Sequence, residues 1–220
     1  MYMRLKYIID KKYDKSFVKD EKIKKNFDDL YNKNLKYLKE AQKLYQKSWN
    51  KINKEFSDYI EKETGYKWFY PVYYCIISVI HRGISNWGTD NRIIRWWKAN
   101  PYSQRRITAH ELIISHYFET YKHNYKKYKL TDNQVWALAE IAAFALTGLT
   151  EKSKQFWPWD YSGYYTNHNY PQIVELQNKL KEPFLKRKNF DAYIKNGIEL
   201  IKKYPKNKYL PETLKMVLNN

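Results

Sequence analysis

From about Asp20 to Glu63 apolar side chains recur at helical intervals. Ile23, Phe27, Leu30, Leu38, Ala41, Tyr45, Trp49, Ile52, Phe56 and Tyr59 follow one another at spacings of three, four or their sums, with Lys and Glu filling the other faces. This predicts a long amphipathic helix, ~60 Å if unbroken, and therefore one that is kinked or split. Gly65 suits its C-terminal cap. Residues 1 to about 18, with YIIDKKYDKSFV, predict a short strand and a turn. YKWFYPVYYCIISVIHRGISNW is β-branched and aromatic, is broken by Pro71, and predicts one or two strands, with turns at Gly83 and Gly88. NRIIRWWKANP, with Arg92, Arg95, Trp96 and Trp97, fits a strand or a short helix. Helices are then predicted over 105–122 and 133–147, the second capped by Thr131 or Asp132 and closed by Gly148. SKQFWPWDYSGYYTNHNY predicts an irregular aromatic loop, and helices follow near 171–182, 189–203 and 211–218.

The helix at Ile107–Tyr121, ITAHELIISHYFETY, carries the candidate chemistry. With His110 as zero on a helical wheel, Ile114, Tyr117 and Tyr121 fall within roughly 40°, and Ile107, Ile113 and Phe118 flank them. His110 is thereby predicted at the centre of a core-facing stripe, with Glu111 at its edge. His116, Glu119 and His123 fall on the opposite face, predicted to be wet, where their spacing could hold a surface metal or simply be polar. Arg105 and Arg106 in the first turn oppose the helix dipole; they are expected to be solvated, the alternative being an anionic ligand. A buried histidine needs a partner. Glu140 is the only charge between Val135 and Leu146, in VWALAEIAAFALTG, a segment apolar on every side. A carboxylate there must be paired, metal-bound or protonated. His110 and Glu140 are therefore expected to meet inside the protein.

The fold class expected is mainly α (α+β): a single domain over 1–220 with a small sheet near 66–98. A long basic helical arm covers 1–64, a core with the HE and Glu140 helices covers 65–150, and the aromatic loop and C-terminal helices cover 151–220. The net charge of +18 raises a nucleic-acid or acidic partner for the Lys-rich first helix. Lys, Asn, Tyr and Ile share AT-rich codons, however, and a solvated lysine face accounts for the pattern without a binding role. One cysteine, Cys75, excludes an intramolecular disulfide, and in an apolar run it reads as a small buried hydrophobe. The N-terminal MYMRLKYIID lacks the apolar core of a signal peptide, and the run near Val72–Ile80 is too short to span a bilayer, so a cytoplasmic protein is expected. A Gly-rich phosphate loop, a zinc-type Cys pair and a nucleophile elbow are all lacking.

AHELIISH together with Glu140 resembles the active-site helices of the zincin metallopeptidases of gluzincin type, over about Tyr70 to Leu146. In that family an HExxH helix supplies two histidine ligands and a catalytic glutamate, and a glutamate on the next helix supplies the third ligand. The resemblance implies Zn²⁺ held by His110 and Glu140, Glu111 as the general base that activates water, and a peptide or protein substrate under a 156–170 lid. The sequence departs from the pattern at the second ligand position, which is Ile114. His116 lies ~120° round and ~9 Å along the helix from His110, so the two cannot share an ion on a regular helix. His81, His116 or His168 would have to supply the remaining ligand. Three readings of the His110–Glu140 pair stand side by side: a hydrogen-bonded core pair, a zinc hydrolase site, and metal-free acid–base chemistry with Glu140 or Glu111 orienting His110. The chain is thus expected to be a metal-dependent hydrolase of zincin type or a catalytically degenerate relative, or else a basic module that binds nucleic acid or an acidic protein.

Overall fold

The computed structural model describes residues 2–85, 90–157 and 173–203. The elements run β1 (Arg4–Ile8), α1 (Lys11–Ser16), α2 (Glu21–Asn50), α3 (Asn53–Thr64), β2 (Val72–Ser78), β3 (Gly83–Ser85), β4 (Arg92–Trp96), α4 (Ser103–Asn124), a 3-10 turn at Lys126–Tyr128, α5 (Asp132–Gly148), α6 (Glu151–Phe156), α7 (Val174–Leu185) and α8 (Phe190–Ile201). The architecture is mainly helical around one small mixed sheet, as the apolar periodicity predicts. Helix α1 stands where a turn is expected and α6 takes the start of the expected 153–170 loop, while the rest of that loop with His168, the turn at Gly88 and the expected 211–218 helix lie outside the described residues.

The long N-terminal helix is split. Asp20 caps α2 by accepting from the Lys22 and Ile23 amides, the chain breaks at Lys51–Ile52, and α3 ends on Gly65 at φ 75°. A left-handed residue is cheap only for glycine, hence the C-cap. Strand order is β1-β2-β4-β3, with β1, β2 and β4 parallel and β3 an antiparallel edge. The other edge, β1, is closed by side chains of α2 and α3. The Met3, Leu5 and Tyr7 amides donate to Ser57, Asn53 and Gln46, and the Met3, Leu5 and Tyr7 carbonyls accept from Asn53, Gln46 and Gln42. Pairing thus ends at β1 without an unsatisfied edge.

Behind the sheet lie α4 and α5. Helix α5 is buried on every side from Gln134 to Gly148 apart from Phe144, and its start is fixed by a capping box between Thr131 and Gln134. Helix α4 is pinned to β1 by a buried triangle: Gln104 Nε2 donates to Tyr7 Oη, Tyr7 Oη donates to Thr108 Oγ1, and Thr108 Oγ1 donates to Gln104 Oε1. Arg105 and Arg106 are buried, not solvated, and Arg105 Nε donates to Ser48 on α2. The place of Arg105 in the first turn follows from packing against α2 and not from the helix dipole. Cys75 is buried in β2. Among the described residues no helix is long and apolar enough to cross a membrane.

Candidate functional site

Helix α4 brings His110 and Glu111 to the seam between α5 and the β3 edge. His110 Nε2 and Glu140 Oε2 are 2.8 Å apart, and the two side chains are 13% and 8% exposed. The imidazole rests on Phe144, ring centroids 4.6 Å apart. Burial pushes the His110 pKa down, but the charge of Glu140 and the hydrogen bond to it outweigh that, so the net shift is upward.

The orientation of α4 differs from the wheel. The helix is buried on almost every side, and Ile107, expected on the apolar stripe, is exposed. His110 and Glu111 are only partly covered and continue the open line that starts at Ile107. The histidine sits at a seam, not at the centre of a core-facing stripe.

Glu111 lies against the backbone of β3. A Cβ on Gly83 would lie 2.7 Å from Glu111 Oε1 and 2.5 Å from Arg95 Nη1, so the bare backbone of β3 is what lets both groups approach. Burial raises the Glu111 pKa, against the pull of His110, of Arg95 and of a hydrogen bond from Ser85. Arg95 is buried in β4 between the sheet and α4, and its Nη1 donates to the Arg82 carbonyl. The sequence reading gave Arg95, Ser85 and Gly83 no part here. The available signal was an arginine next to Ile93 and Ile94 in a strand, since arginines are rarely buried without a charged neighbour.

The other histidines lie elsewhere. His116 is buried, against the expectation of a wet face. Its ring packs on Trp68 and Phe69, Nε2 is 3.4 Å from Thr64 Oγ1, and burial drives its pKa down to about 3. Glu119 is also buried; it accepts from Tyr70 Oη and faces His123 at 3.3 Å. Only His123 is exposed, stacked on Phe69. The segment Tyr66–Tyr70 lays its aromatic rings over that face of α4, and an amphipathic pattern cannot report cover of that kind. His81 faces Asp14 at 3.9 Å beside Phe17.

A catalytic zinc takes three protein ligands and a water. The described residues bring two of the donors implied by the resemblance together, His110 Nε2 and Glu140 Oε2, and these are bonded to each other. The position of the second histidine is occupied by Ile114, apolar and 1% exposed. Among the described residues no group of three His, Cys, Asp or Glu side chains is placed to hold a metal. Among the described residues this donor set does not fit zinc. What it can do is hold a hydrogen-bonded imidazole beside a carboxylic acid of raised pKa. No protein-family model matches the chain, and no curated protein or solved structure matches it.

Proposed function

We propose that this chain is a catalytically degenerate relative of the zincin peptidases, with a metal-free His–Glu pair where an active member would hold its metal. Support comes from the order of elements: a small mixed sheet, then the HE helix α4, then α5 carrying Glu140. The observation that carries the reading is the 2.8 Å His110–Glu140 bond together with the sealed, apolar Ile114. On this reading the chain acts by binding, and a peptide or protein is the ligand class that the resemblance implies.

The test is the metal content of the purified full chain, with His110→Ala and Glu140→Ala beside it. The expected result is no stoichiometric zinc, no thermal stabilisation by added Zn²⁺ and no peptidase activity. Stoichiometric zinc in the wild type that disappears in both variants would overturn the proposal.

A further inference from the structure

Large hydrophobic side chains exposed among the described residues are Tyr2, Ile23, Leu30, Tyr37, Leu44, Tyr102, Ile107 and Leu185. Four of these eight, Ile23, Leu30, Tyr37 and Leu44, fall on α2 at intervals of seven residues. They are 36–53% exposed and span ~31 Å of helix. One exposed leucine is ordinary, but a row with a seven-residue period is how a helix meets another helix. Helix α2 already uses a different face, including Phe27, Leu38, Tyr45 and Trp49, for the core. The row is a second apolar face, met among the described residues by Trp97 against Tyr37.

Charge borders the row. On its solvent side stand the exposed lysines Lys22, Lys33, Lys36, Lys43 and Lys47, against Asp29 and Glu40. Lys11, Lys15 and Lys24 pair with Asp28 or Glu21. None of the five pairs with a carboxylate among the described residues. On the other side Trp97 stacks on Tyr37 at 5.7 Å, and Lys98 lies over Trp97 at 5.0 Å.

We infer that this row is a docking strip for an acidic amphipathic α-helix of a partner protein. The heptad row receives the partner's apolar side chains, and the lysines on both sides receive its carboxylates. A second copy of this chain would set lysines against lysines. A single-stranded nucleic acid finds phosphate partners here, but only Tyr37, already stacked on Trp97, offers its bases a ring, and Ile23, Leu30 and Leu44 offer none. A membrane-surface helix presents a broad apolar face, whereas this row is one side chain wide and carries Asp29 and Glu40 beside it. The inference stands independently of the His110 site.

The test uses a fluorescent synthetic peptide of about four heptads, with leucine at the a and d positions and glutamate on the flanks. A lysine-flanked version, a mixed-sequence single-stranded RNA and phosphatidylserine vesicles serve as competing probes. The acidic peptide should bind the full chain, more weakly as salt rises. Affinity should fall about tenfold or more in Leu30→Glu/Leu44→Glu and in Lys33→Glu/Lys36→Glu, and should be unchanged in His110→Ala. All these substitutions on α2 are at exposed positions, so an unchanged circular dichroism spectrum and melting temperature confirm folding. Failure of the acidic peptide to bind at low salt overturns the inference. So does equal binding by the variants, preference for RNA or vesicles through the same residues, or self-association that Leu30→Glu/Leu44→Glu abolishes.

Discussion

At the scale of single residues, the His110–Glu140 bond has a cost attached to its removal. Glu140→Ala removes what holds the proton on His110, so burial leaves a neutral imidazole without its partner, and a loss of about 2 kcal/mol is expected in urea unfolding near pH 6. The loss should depend on pH. His110 has a folded pKa above its ordinary 6.5, so its extra stabilisation is complete below 6.5 and disappears as pH rises through the folded value. The gap between wild type and Glu140→Ala should therefore narrow on going from pH 6 to pH 9; a constant gap would mean that the bond is not charge-assisted. The pairing was legible because a lone carboxylate on an all-apolar helix has few ways to be satisfied. The direction of His110 was not, because α4 is buried nearly all round and the wheel then has no wet face to orient against. Gly83 was read only as a turn. Its further role gives a second expectation: Gly83→Ala should destabilise by about 1 kcal/mol or more, since the added methyl meets Arg95 and Glu111 at once.

At the scale of elements, the way β1 is finished shows what binary patterning leaves out. Gln42, Gln46, Asn53 and Ser57 are polar, and a pattern reader assigns polar positions to solvent. Instead they complete the hydrogen bonds of an edge strand that has no further strand beside it. Asn53 matters most, because it accepts from the Leu5 amide and from Trp49 Nε1 and donates to the Met3 carbonyl. Asn53→Ala strands three buried partners, and a loss of about 3 kcal/mol is expected by chemical denaturation. A loss under about 0.5 kcal/mol would mean that water replaces the side chain at the strand edge. The strand, the helix split and the sheet near residues 66–98 were readable from periodicity; their mutual sealing was not. The junction of α1 with β2 is similar. Asp14 is fully buried, accepting from Ser78 Oγ and the Val79 amide, and burial pushes its pKa up to about 6. Ionising it in the fold is therefore penalised: the penalty is absent below about pH 4 and complete above about pH 6. His81 opposes this, since burial lowers its pKa and folding loses stability as pH falls below 6.5. Comparison with Asp14→Asn isolates the first effect. The stability of wild type relative to this variant should drop by roughly 2 kcal/mol between pH 4 and pH 6.5.

At the scale of the whole molecule, the zincin reading makes a demand that one substitution can check. If α4 and α5 are the two ligand-bearing helices of such a scaffold, a histidine at position 114 stands one turn from His110 on the same helical face. Glu140 is already within bonding distance of His110. The Ile114→His variant then assembles three donors around the place where two now bond each other. Ile114 is 1% exposed, so a metal-free variant buries an extra imidazole without a partner and should melt well below wild type. Zinc reverses this only if the three donors converge. At free zinc one hundred times the dissociation constant, the recovery is about 2.7 kcal/mol, and it should vanish in Ile114→His/Glu140→Ala. Wild type, with two donors, should show no such gain. A variant that folds, as judged by circular dichroism, and takes no zinc would show that His110 and position 114 do not share a metal-facing surface. The order of the helices would then be a coincidence of motif. The apolar row on α2 would keep its meaning either way, because nothing in its argument passes through the seam of α4, α5 and β3.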